Sequence, residues 1–272
     1  MEGAFFRVQH GDTEELHPEP RASSGWGADQ MRGPAVGAAL ARKVEQTIET
    51  LGRHDLQPVR WTVDLFRAVR MKPSVTTATV VREGPRLCLI DAVLSQDGIP
   101  AARASALFLR PSEAPPGEVW SGGTTPTPPP VGRRPPERDP ERLYFTERDG
   151  WGEWTDAFRD ADRKRIWHLP IPVVEGEEPT PFQIAAAVAD VTNLVSNLGS
   201  AGLEFINPDV TMAITRLPNG PEVGLALTER VQQAGIAVGT AVIFDRDGVL
   251  GTTTVTAVAN ARRAVRIDHG RD

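Results

Sequence analysis

The chain reads as an α+β protein in which one folding unit is written twice. Three observations carry that reading. An alternating apolar run opens at Val63-Asp64-Leu65-Phe66-Arg67, reaches a turn signal at Asp97-Gly98 and continues to Leu109. A second such run opens at Val210-Thr211-Met212-Ala213-Ile214, reaches Asp247-Gly248 and continues to Val258. Each follows a long apolar segment of helical period, and helices beside antiparallel meanders define an α+β architecture. Arg67 precedes Gly98 by 31 positions and Arg216 precedes Gly248 by 32, so the two runs share their spacing.

Residues 1–30 mix His, Pro, Glu and Gly and are expected to wrap the first unit as strand or loop. From Pro34, Val36, Leu40, Val44 and Ile48 recur every four residues, and Gly52 supplies a stop. The small residues Ala35, Gly37, Ala38, Ala39 and Ala41 let this helix pack at close range. Strands are predicted at 59–69, 74–83, 86–96 and 99–110, each bounded by Pro, Gly or a hairpin signal. Residues 111–142 read as a linker, because their proline clusters fit neither helix nor strand interiors. The chain thus divides into units 1–110 and 143–272.

In the second unit, 165–170 is predicted as the first strand and 179–198 as one helix. Ile184, Val188, Val191 and Val195 trace the buried stripe of that helix. Gln183, Asp190, Asn193 and Asn197 trace a polar line on another side, a pattern more often solvated than ligand-binding. Strands follow at 208–217, 222–231, 234–245 and 249–260.

Bulk properties narrow the function. At 272 residues with 40% hydrophobic and 24% charged content, the chain has the make-up of a soluble globular protein with a real core. The net charge of −6 argues against a nucleic-acid partner, which a basic face would serve. The single cysteine, Cys88, sits in an apolar run and excludes disulfides and multi-cysteine metal sites. A buried, inert thiol is expected there. The amino terminus, Met1-Glu2-Gly3-Ala4, lacks the pattern of a signal peptide, and no apolar run nears the roughly 20 residues of a membrane span. A cytoplasmic protein without membrane, metal or cofactor is the expectation.

Taken together, the segments 31–35, 59–67, 81–86, Asp97-Gly98 and 102–104, then Ala189-Asp190, 205–211 and 247–250, resemble the acyl-CoA thioesterase superfamily, in particular bacterial thioesterase II. The resemblance spans nearly the whole chain and implies a double hotdog fold. It also implies an acyl-CoA substrate and hydrolysis of the thioester to acid and CoA. The family's water-holding carboxylate falls on Asp209 and its threonine on Thr228. The glutamine position falls on Thr256, a departure from the pattern. Asp190 and Asn193 are neighbours that could share the third role and bind substrate, and Gly33 would let a ligand approach backbone amides at a helix start. Counting seven back from Arg216 gives Asp209, whereas seven back from Arg67 gives Arg60, so only the second copy carries the acid. Arg67 and Arg216 themselves read as salt-bridging residues of the fold.

Two other readings stay open. Hotdog hydratases pair an Asp with a His that closely follows an Asn-Pro step. Here Asn207-Pro208 is followed by Asp209, and His10, His17, His54, His168 and His269 fall elsewhere. A non-catalytic acyl-CoA or acyl-carrier binding protein is the second alternative, supported by the missing glutamine. A homo-oligomer is expected, since long sheet edges are commonly covered by another copy.

Overall fold

The computed structural model describes residues 3–11, 13–120, 122–123, 125–137, 139–260 and 264–265. Met1, Glu2 and His269 of the reading above, and three linker positions, lie outside the described residues. The amino-terminal stretch forms two short hairpins, β1 (Phe6–His10) with β2 (Glu14–Pro18) and β3 (Ser23–Ser24) with β4 (Gly27–Met31). Helix α1 (Gly33–Thr50) follows, with Pro34 at its first turn, where a missing amide costs nothing. Strands β5 (Gln57–Leu65), β6 (Val75–Gly84), β7 (Leu87–Gln96) and β8 (Ile99–Leu109) complete the first unit. In β7 every second residue is buried, as a strand with one face on a core requires. Cys88 lies on that face, fully buried, and burial pushes its thiol pKa up.

Described residues between 110 and 141 contain no helix or strand. The first strand of the second unit comes earlier than the predicted 165–170 segment. β9 (Arg142–Thr146) and β10 (Gly150–Gly152) precede β11 (Arg165–His168), which pairs with β9. The aromatic residues of this stretch explain the extra strands: Tyr144 packs edge-on against Trp154 and Phe158, giving them a small core of their own.

The helix expected over 179–198 is interrupted. α2 (Pro181–Asp190) ends at Val191, whose amide bonds three residues back to Val188, and α3 (Thr192–Asn197) resumes. A capping box of Thr180 and Gln183 starts α2. The polar line is not solvated either. Gln183, Asn193 and Asn197 are all buried, because sheet and neighbouring helix enclose this side too. After β12 (Leu198–Gly199), β13 (Gly202–Leu203) and β14 (Phe205–Ile206) come β15 (Asp209–Ile214), β16 (Val223–Gln233), β17 (Ile236–Asp245) and β18 (Gly248–Ala259).

Among the described residues one twelve-stranded antiparallel sheet runs β10-β9-β11-β16-β17-β18-β15-β5-β8-β7-β6, with β14 also on β18. The seam between units is the pair β15–β5, where Met212 lies opposite Trp61. Trp61 and Phe108 of the first unit pack edge-on against Phe182 of α2, at 5.4 and 6.1 Å between ring centres. This is the double hotdog architecture: two helix-wrapped sheets joined into one.

The duplication is visible in register. Asp64 pairs with Arg103 in the first unit and Ala213 with Thr252 in the second, a constant shift of 149. Gln96 pairs with Ile99, and Asp245 with Gly248, at the same shift. The turn Asp97-Gly98 therefore corresponds to Arg246-Asp247, one residue before the Asp-Gly dipeptide that the sequence suggests. Arg60 does correspond to Asp209.

Candidate functional site

Helices α1 and α2 run antiparallel at close range. Gly33 meets Asp190, Gly37 meets the Ala186 carbonyl, and Glu45 meets Thr180 and Gln183. Each helix thus places an acid at the start of the other, but the two acids are held differently. Glu45 accepts from the Thr180 hydroxyl at 2.7 Å and from the Gln183 amide at 2.7 Å. Burial raises its pKa and these donors oppose the rise. Asp190 accepts one side-chain hydrogen bond, from Asn207 Nδ2 to Oδ1 at 3.1 Å. Burial pushes its carboxyl up to about 6, against the Asn207 bond. A Cβ on residue 33 would lie 2.0 Å from Asp190 Oδ2, so only glycine lets the acid sit at the helix start.

Two hollows meet at Gly33, Asp190 and Asn207. The first, about 250 Å³, is walled by apolar side chains such as Met31, Val36, Leu65 and Ile206, with exposed Arg67 among its lining residues. The second, about 320 Å³, is more polar and includes Ser23, Arg32, Arg142 and Asn193. Trp26 lines both, and Asp190 is the sole acidic side chain among the described residues in either lining.

The other expected site residues are placed as follows. Along β15, Val210, Met212 and Ile214 face the core, so half-buried Asp209 faces the other side of the sheet. Its Oδ1 accepts from the Thr256 amide at 2.9 Å and the Thr256 hydroxyl at 2.5 Å. The structure therefore brings Asp209 and Thr256 together, next to Pro208 and Val258 of the first hollow's wall. Thr228 is not joined to them. It occupies a bulge of β16 and its hydroxyl donates to the Thr240 carbonyl at 2.8 Å. Asn193 lines the second hollow, donating to the Phe205 carbonyl at 3.2 Å and accepting from Asn197 at 2.9 Å. Among the described residues no group of three His, Cys, Asp or Glu is placed to hold a metal ion.

Asn207 was not singled out as a site residue because Asn-Pro-Asp reads as ordinary turn chemistry. Its side-chain amide links the Asp190 carboxylate to the Asp209 backbone, donating to Asp190 Oδ1 and to the Asp209 carbonyl, each at 3.1 Å. Trp26, Arg32 and Arg142 carried no periodic signal and are found only through the fold. Arg216 behaves as expected, paired with Asp245 at 2.6 and 2.7 Å. Arg67 has no ion pair among the described residues. The matching position to Asp245 is Gln96, which bonds the backbone of Arg70 and Lys72 instead.

Comparison with family models matches residues 22–109 to an acyl-CoA thioesterase N-terminal domain and 110–259 to an acyl-CoA thioesterase C-terminal domain. No curated protein sequence matches. Among solved structures, the chain is similar to an acyl-CoA thioesterase II, TesB2, from Mycobacterium marinum, with 15% identity and a TM-score of 0.62. That match covers 84% of this chain and 90% of the other. A tesB protein from Mycobacterium avium subs paratuberculosis matches at 13% identity and TM-score 0.65, over 93% of this chain and 95% of that one. A hot dog fold protein of unknown function from Alicyclobacillus acidocaldarius matches at 15% identity and TM-score 0.65, again over 93% and 95%. At these identities the likeness is one of fold. No helix among the described residues is long and apolar enough to cross a membrane.

Proposed function

Because this chain belongs to the acyl-CoA thioesterase family, we propose that it hydrolyses an acyl-CoA thioester whose carbonyl sits where the two hollows meet. Asp190 takes a proton from the attacking water. The water oxygen bonds to the carbonyl carbon, the C–S bond breaks, and the proton passes from Asp190 to the departing thiolate. The single observation that carries this reading is that Asp190 is the one acid among the described residues that line either hollow, with its pKa raised by burial to about 6. A base of that pKa is ionised near neutral pH yet basic enough to accept the proton. The Gly33 amide at the start of α1 suits the developing oxyanion; Pro34 has no N–H, and the Ala35 and Val36 amides already bond to the Arg32 carbonyl. Asn193 and Asn207 border the same space and would orient the substrate.

A second reading keeps Asp209 as the base, as the resemblance implies, with Thr256 beside it and Thr228 further along the sheet. Its support is the double hydrogen bond from Thr256 and the contact of neighbouring Pro208 and Val258 with the first hollow. Thiol release from a panel of acyl-CoAs decides between them. Under the first reading Asp190→Asn loses about 10²–10⁴-fold in kcat, the usual worth of a positioned base, and Asp209→Asn retains most activity. The reverse pattern assigns the chemistry to Asp209. No release from any ester, with binding intact, makes the chain an acyl-CoA binder.

We further infer a homo-oligomer. Strands β6 and β10 end the sheet with an unpaired edge among the described strands, which a second copy would cover. A monomeric mass by light scattering would refute this.

A further inference from the structure

The two hollows that meet at Asp190 differ in chemistry. In the first, Met31, Val36 and Val69 are buried and make the floor, while Leu65 and Ile206 are half-buried walls. Exposed Arg67, Ala68 and Val258 mark its mouth. Val36 lies one turn of α1 beyond Gly33, so the apolar floor starts beside the helix-start amide and the Asp190 carboxylate. In the second hollow the side chains of Ser24, Arg32, Arg142 and Asn193 offer hydroxyl, guanidinium and amide groups. A CoA thioester has two arms that differ in the same way. Its acyl arm is hydrocarbon, which gains free energy in proportion to the area taken out of water. Its pantetheine arm carries amides, which need hydrogen-bond partners wherever they are buried.

Resting on the thioesterase reading above, we propose that the first hollow is the acyl slot, that Val36 and Ile206 gauge the chain length it takes, and that the pantetheine arm lies in the second hollow. The substrate class is then an unsubstituted acyl chain of medium length. The slot of about 250 Å³ holds on the order of eight methylenes, each taken at roughly the 30 Å³ of a water in the liquid. A charged or hydroxylated chain would leave water for a floor of Met31, Val36 and Val69, whose side chains offer it no hydrogen bond. A longer hydrocarbon chain emerges at the mouth, where each further methylene stays in water and adds nothing to binding.

The test measures kcat/KM for straight-chain saturated acyl-CoAs of graded length. In the wild type it is expected to rise about fourfold per added methylene, the worth of burying one, and then to level off at a chain of medium length. Val36→Leu leaves less room, so the break moves to a shorter chain. Ile206→Ala, at a half-buried wall, leaves more room and moves it to a longer one. Leu194→Ala, in the second hollow, leaves the break in place. Rates independent of length, or rising without a break to the longest ester, overturn the proposal. So does a break that follows Leu194→Ala and ignores both first-hollow variants, which would exchange the two arms. Binding separates the slot from hydrolysis itself, with non-hydrolysable thioether analogues of the same lengths titrated by calorimetry. If no ester is cleaved and affinity still breaks at a medium length that shifts in Ile206→Ala, the slot stands and the thioesterase reading fails. If esters are cleaved while affinity ignores chain length, hydrolysis stands and the slot fails.

Discussion

Asp190, the proposed base, is a carboxyl held at a cost in stability. Its folded pKa of about 6 lies above the unfolded value of about 4. Its contribution to folding is therefore fully present below about pH 4 and is lost as pH rises through 6. Asp190→Asn should raise stability near neutral pH by about 1–3 kcal/mol and flatten the dependence between pH 4 and 6. Denaturant titrations at several pH values check this; an unchanged profile would mean that the acid is not desolvated. The same pKa predicts the rate profile. In the wild type kcat/KM should rise with pH through about 6 and level off above it, and this acidic limb should vanish in Asp190→Asn.

At the scale of elements, the geometry depends on how closely α1 and α2 approach. Gly33→Ala would place a methyl group against Asp190 Oδ2, so either the carboxylate or the helix start must shift. A loss of about 1–3 kcal/mol in stability is expected, the usual cost of overpacking, with a larger fall in activity than in binding. The hairpin arms show what the duplication retained and what it released. Asp245 is fully buried and takes both Arg216 nitrogens and the Asn219 amide, which hold its pKa below the usual range against the opposing pull of burial. Arg216→Ala removes its ionic partner and leaves the Asn219 and Asp247 amides as donors, and should cost about 1.5–3 kcal/mol. Arg67→Ala at the matching place should cost far less, because Gln96 rather than an acid stands opposite. Thermal melts of the two variants make the comparison. In the wild type the Asp245 contribution is present above the unfolded carboxylate pKa and lost as pH falls through the depressed folded value.

Across the whole molecule, the seam between β15 and β5 and the packing of Phe182 against Trp61 and Phe108 make one body of two similar units. Arg42 adds to this by bridging Glu14 of the amino-terminal hairpin and Glu177 ahead of α2, each at 2.7 Å. The duplication would allow two equivalent sites, one at each helix start. At the start of α2, however, Glu45 is already satisfied by the Thr180–Gln183 cap. At the start of α1, Asp190 opens onto both hollows. One proposed site per chain follows from that difference. Titration with a non-hydrolysable acyl-CoA analogue should give one equivalent bound per chain, and two would contradict the asymmetry.

The local patterns of this sequence, its period-four and period-two apolar spacing and its Pro, Gly and Asp-Gly punctuation, were enough to determine the main helix of the first unit, the eight long strands and the doubled plan. Such signals depend only on neighbours in the chain. The aromatic strands β9 and β10, the break at Val191 and the burial of the polar line were not legible, because each depends on what packs against it. The pairing of Asp209 with Thr256 joins positions that the sequence had singled out. The position of Asp190 against Gly33, its tie to Asn207 and the clustering of Arg32, Arg142 and Glu141 join residues more than a hundred positions apart in several cases. Tertiary structure alone decided those, because desolvation and close approach are properties of three-dimensional neighbours and leave no periodic mark along the chain.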